Sequence, residues 1–197
     1  MRNLDVQREP VDTVGFGAPL QSCRIAALQG APCATIQTVL NDFALRAARQ
    51  GHKIAGVVEL AGGVAGDICG RRAVRELSTG TVISISQNLG HGSTACNLDP
   101  SGLIEACAAV ERAIAAGADL VILSKFGKIE AERGGLRDAF STAIGAGLPI
   151  LTAVSPAMTP AWQLFAGPLS QFIRADANAV DTWWSGIIAG HCLPAYE

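Results

Sequence analysis

The sequence predicts a three-layer α/β sandwich with a mainly parallel sheet and a hairpin at one sheet edge, and three observations carry that prediction. Short apolar runs alternate with stretches of helical periodicity, the pattern of strands joined by crossover helices. Hydrophobic residues make up 49% of the chain and aromatics only 5%, with 22 glycines and abundant alanine, so helices can approach a sheet closely over small side chains. A length of 197 residues suits one such layered core and leaves little room for a second.

The elements follow in order. Residues 23–29 (CRIAALQ) are a short apolar run ending at Gly30-Ala31-Pro32, after which Ile36, Leu40, Phe43 and Ala47 recur at helical spacing as far as Gln50-Gly51. IAGVVEL (54–60) is a second β-rich run, which completes a strand–helix–strand unit with the right-handed crossover such units take. The Gly-rich and then Arg-rich stretch 61–80 reads as a loop, a short strand and a Ser-Thr-Gly turn, so AVREL and TVISIS are expected to pair as the edge hairpin. A polar loop over 88–100 precedes Asp99-Pro100, a helix start in which Asp caps open N–H groups and Pro occupies the first helical position. That helix should run to about Ala116, with Leu103, Cys107, Val110 and Ile114 as its core stripe.

DLVILS (119–124) is the next buried strand, KFGKIEAERGG the joining segment, and Leu136, Phe140 and Ile144 one face of a further helix stopped by Gly145-Ala146-Gly147. LPILTAV (148–154) returns to strand. A short helix around Trp162 and Phe165 follows, and a C-terminal segment with Trp183-Trp184 and Ile187-Ile188 is expected to cover one side of the sheet. In domain terms, residues 1–20 are expected to form a flexible leader and 21–197 a single domain.

Composition narrows the function classes. A net charge of -2, without basic residues clustered among aromatics, speaks against nucleic acid and against a polybasic membrane patch. No apolar run nears the roughly 20 residues that span a bilayer, and the N-terminus lacks a signal-peptide core, so the expectation is a cytoplasmic protein with no membrane insertion. Six cysteines are scattered without a CxxC pair, which argues against a zinc ribbon or a dense disulfide framework and places Cys23 and Cys107 on apolar faces as small core residues.

Two segments, the strand–turn–helix at 23–49 and ADLVILSKFGKIEAERGGLRDAFSTAIGAGLPILTAV at 118–154, resemble the small P-loop nucleoside-triphosphatases of the thermophile type. The fit is closer still to an uncharacterised P-loop-like family often encoded near molybdate-transport or nitrogenase genes, to which ISQNLGHGSTACNLDPSGL (85–103) is also similar. The resemblance covers about residues 23–167, with 124–130 and 96–100 as its most specific parts. It implies a P-loop NTPase-like fold, and it raises the question of whether the chemistry is intact, because fold alone does not fix function.

Measured against GxxxxGK[ST] from Gly30, the chain carries Thr35 for the second Gly, Ile36 for Lys and Gln37 for the magnesium-binding hydroxyl. After the apolar strand VIL, the resemblance implies an acidic pair that binds magnesium, and the chain has Ser124-Lys125. Both departures disfavour Mg-NTP hydrolysis while leaving a helix N-terminus that can attract an anion. The candidate anion or nucleotide site is therefore Gln29, Gly30, Ala31 and Cys33 with Lys125 and Lys128, extended by Glu130 and Asp99. The alternative readings are that the turn merely joins two core elements and that Lys128 and Glu130 form a surface pair of little energy. His91, Cys96 and Cys69 are weak metal candidates, since His-x4-Cys is no diagnostic spacing.

No GxSxG, HExxH or GxGxxG pattern is present. Three functions are consistent with the residues. The first is a non-hydrolysing binder of a nucleotide or an oxyanion such as molybdate, acting as an accessory to molybdenum homeostasis. The second is a divergent nucleoside triphosphatase using Lys128 with Glu130 or Asp99. The third is an interaction module, a homodimer or a docking partner, working through Trp162, Trp183 and Trp184.

Overall fold

A computed structural model describes residues 23–60, 72–87 and 98–190. The expected leader at 1–20, the weak metal candidates Cys69, His91 and Cys96, and the last seven residues lie outside the described residues. Among the described residues, strands β1 (Ile25–Gln29), β2 (Ile54–Glu59), β3 (Ala73–Glu76), β4 (Val82–Ser84), β5 (Leu120–Phe126), β6 (Ile150–Val154) and β7 (Ser170–Arg174) form one sheet. Their order is β4-β3-β2-β5-β6-β1-β7. The five from β2 to β7 in that order run parallel, and β3 and β4 are antiparallel additions at one edge, as the alternation in 73–84 predicts.

Helices α1 (Cys33–Arg49) and α6 (Ala177–Ile188) cover one face. The other face carries α2 (Pro100–Ala115), α4 (Arg137–Gly145) and α5 (Thr159–Ala166), while a four-residue helix α3 (Lys128–Ala131) follows β5 directly. Strand alternation sorts the two cores: Ala26, Leu28, Ile122 and Leu151 face α1 and α6, whereas Ala27, Leu123, Ile150 and Val154 face α2, α4 and α5. The predicted stripe of α1 is buried as expected, and that of α2 is buried at Cys107, Val110 and Ile114, with Leu103 packed more loosely on the same core. Burial pushes the Cys107 thiol up, which fits a core residue rather than a reactive one.

Three expectations are corrected. The strand predicted to end at Ser124 continues to Phe126, with a register shift after Leu123. The reason is Phe126, which is buried with its ring 5.1 Å from Trp162 and 5.9 Å from Phe140, so the chain stays extended to seat it. Strand β7, absent from the sequence reading, pairs with β1 along the second edge. The three tryptophans do not form a surface: Trp162 is fully buried beneath α5, and Trp183 and Trp184 are buried beneath α6 in the opposite core, so none of them offers an anchor to a partner.

Candidate functional site

Open parallel sheets hold ligands beyond the C-terminal ends of their strands, because the loops and helix N-termini converge there. In this protein the ends of β1, β5 and β6 enclose a cavity of about 170 Å³ lined by the β1–α1 turn, Lys125, Gly127 and the start of the segment after β6. The turn is only Gly30-Ala31-Pro32, and Gly30 sits at φ 88°, a left-handed conformation that favours glycine. Pro32 precedes the helix, and among the described residues no side chain caps the first turn of α1, whose Cys33 borders the cavity.

The positions that would manage a triphosphate hold other chemistry. Ile36, standing for the phosphate-loop lysine, is buried in the core beneath α1 and presents an apolar wall to the cavity. Gln37, standing for the hydroxyl residue, is buried and acts as a staple across two strand ends: its Nε2 donates to the Ser124 carbonyl at 2.7 Å and its Oε1 accepts the Glu59 N–H at 2.9 Å. A side chain whose donor and acceptor are both used by backbone is anchored in place.

Lys125 lines the cavity, but its ammonium lies 2.9 Å from Glu59 Oε2. Glu59 Oε1 accepts from Arg72 at 2.7 Å, so one carboxylate joins two cations. Burial by itself pushes the Glu59 carboxyl up, yet the hydrogen bonds and charges of Lys125 and Arg72 outweigh it and hold the group below its ordinary value.

The sequence candidates divide accordingly. Gln29, Gly30, Ala31, Cys33 and Lys125 meet around this cavity. Gln29 also ties the end of β1 to the start of α5, donating from Nε2 to Thr159 Oγ1 at 3.0 Å, and Cys33 is an exposed free thiol at the first position of α1. Lys128 and Glu130 line a different cavity, beneath α2. The surface pair expected between them is replaced by Lys128 with Glu132 at 3.7 Å, because the Glu130 carboxylate turns inward to accept the N–H groups of Gly127 and Leu136. Asp99 caps α2, accepting from the Ser101 N–H at 3.0 Å, and lines neither cavity. Among the described residues no three His, Cys, Asp or Glu side chains cluster as a metal site would require.

This geometry can be set beside known proteins. Residues 25–183 match the family described as protein of unknown function, DUF2478. The chain belongs to that family. A relative of this DUF2478 chain is the molybdenum import ATP-binding protein ModC 2 of Bradyrhizobium diazoefficiens, 40% identical over 169 residues, which is 85% of this chain but 19% of the relative's length. Among solved structures, THEP1 from the hyperthermophile Aquifex aeolicus is similar at a TM-score of 0.55 and 13% identity, over 84% of this chain and 95% of that one. The likeness establishes a P-loop NTPase-like fold for the DUF2478 chain, and at that identity it establishes the fold alone. No helix among the described residues is long and apolar enough to cross a membrane.

Glu59 and Arg72 are the residues that sequence reasoning did not single out. A usable signal was present in Glu59, a lone acid closing the apolar run IAGVV, since an acid at a buried strand end needs partners.

Proposed function

We propose that this chain is a degenerate P-loop protein that binds a small oxyanion or a nucleotide without hydrolysing it, in an accessory role in molybdenum handling. One observation carries the reading: the uncapped first turn of α1 opens on a cavity whose lining includes Lys125, while Ile36 and Gln37 occupy the lysine and hydroxyl positions as buried scaffold. Open N–H groups and one cation favour negative charge, and an apolar wall in place of the lysine removes the contact that a triphosphate needs most. The residues that a hydrolytic reading requires are otherwise occupied, Glu130 by two backbone N–H groups and Asp99 by the cap of α2. The molybdenum part rests on the name of the Bradyrhizobium relative.

Calorimetric titration with molybdate, phosphate, ATP and GTP tests the reading, paired with an assay of phosphate release. At least one of these anions should give saturable heat, Lys125→Ala should weaken it about tenfold through loss of a charge-assisted contact, and no phosphate should be released. Absence of heat at millimolar ligand would dispose of the binding site, and metal-dependent turnover by the wild type would dispose of the non-hydrolysing role.

A further inference from the structure

A second cavity, of about 220 Å³, lies beneath α2, between the edge hairpin and the corner where β5 passes into α3. Its interior is apolar, with Val74 and Ile85 from the hairpin side, Leu103 from α2, and Ile129 and Leu136 from the corner. Its charged lining is Arg72, Lys125 and Lys128 against Glu59 and Glu130. Lys128 is paired outside the cavity with Glu132 at 3.7 Å, Glu130 is engaged by the Gly127 and Leu136 N–H groups, and Arg72 and Lys125 share the single carboxylate of Glu59. At the Glu59 end two cations thus share one carboxylate, and one positive charge there is left to the solvent or to a ligand.

We propose that this cavity is a separate binding site for a small carboxylate with an apolar body, of the size of an aromatic monocarboxylate. Volume and charge select that class together. A dry cavity of about 150 Å³ is known to hold a benzene ring, so this one has space for a ring and one small substituent. The apolar walls exclude a multiply charged phosphate, whose oxygens would each need a donor, whereas a single carboxylate can stay at the cationic end while the ring displaces water from the walls. A guanidinium suits that head group, because its N–H groups match the geometry of a carboxylate. A ligand cation would meet Arg72 and Lys125 at that end, with no unengaged acid to receive it.

The inference is independent of the function proposed for the β1–α1 turn. The two cavities share Lys125 and Gly127 at the end of β5, but this one is walled by α2 and the hairpin, the other by α1 and the end of β6. The variant that separates them is Leu103→Trp, which fills the second cavity from α2 and touches nothing at the turn.

The test is benzoate titration of the full chain, followed by the methyl resonances of Leu103, Ile129 and Leu136, with benzamide as the uncharged isostere. Benzoate should shift these methyls saturably in the millimolar range, and benzamide should bind at least about tenfold more weakly, the loss of one charge-assisted contact. Arg72→Gln should weaken benzoate by a similar factor, and Leu103→Trp should abolish the shifts while leaving any heat with molybdate or phosphate unchanged. If Leu103→Trp does not fold by circular dichroism, Ile129→Trp fills the same space from the opposite wall and carries the same expectation. Methyls that do not move, benzamide binding as tightly as benzoate, or benzoate binding that survives a folded filling variant would each overturn the proposal.

Discussion

Glu59 is an acid that burial would drive toward its neutral form and that two cations keep ionised. The sign of its effect on stability follows. A carboxyl held below its ordinary value in the folded state contributes stability that is complete above the usual carboxylate range and is lost as pH falls through the folded value. Glu59→Gln preserves shape but leaves Lys125 and Arg72 without their carboxylate, and because both cations are more than a third exposed the loss at neutral pH should be modest, about 1–2 kcal/mol. Urea midpoints of wild type and variant should therefore differ at pH 7, begin to converge as pH falls through the ordinary carboxylate range at about 4.3, and meet only below the lowered folded value, where the wild-type carboxyl is protonated too. A gap that stays constant through the acid range would mean that the charge of Glu59 does not stabilise the fold. Residue chemistry of this kind was half legible. Ile36 and Gln37 could be seen to break the phosphate loop, but not that Gln37 joins Ser124 to Glu59, because those partners lie 87 and 22 residues away.

Elements were more legible than residues, because periodicity is local. The strand, helix, strand beat over 23–60 and 98–154 and the hairpin at 73–84 all emerge from pattern, since each buries one face or both against the sheet. Strand β7 escaped because SQFIR is only partly buried along its length; an edge strand beside β1 needs little apolar surface, and the tertiary pairing that makes it a strand leaves no period in the sequence. Gly102 shows the converse, a packing constraint hidden in a helix. Alanine in place of a helix-interior glycine ordinarily gains up to about 1 kcal/mol in propensity, and less in the first turn, where Gly102 stands. Here a Cβ on Gly102 would lie 2.0 Å from the Ser84 carbonyl oxygen, which is backbone and cannot rotate away. Gly102→Ala should therefore push α2 off β4 and destabilise the protein by about 1–3 kcal/mol, the usual range for overpacking. A midpoint at or above that of wild type would show that α2 and β4 are not held at this separation.

At the scale of the molecule, one sheet separates two cores, and the tryptophans report on them separately: Trp162 on the core beneath α2, α4 and α5, Trp183 and Trp184 on the core beneath α1 and α6. Both layers rest on the same central strands β5, β6 and β1, whose alternate residues point into opposite cores, so removing either layer exposes half of a strand that the other still needs. That shared spine argues for a single cooperative transition rather than layers that melt independently. Trp162→Phe leaves fluorescence only in the α1/α6 core, and Trp183→Phe with Trp184→Phe leaves it only in the other. Each protein will be less stable than wild type, so the comparison is made within each one, between its fluorescence and its far-ultraviolet circular dichroism. In both, the two midpoints in urea should coincide. If fluorescence from one core changes at lower urea than the dichroism does, that layer detaches first, and the central strands do not bind the two cores into one unit.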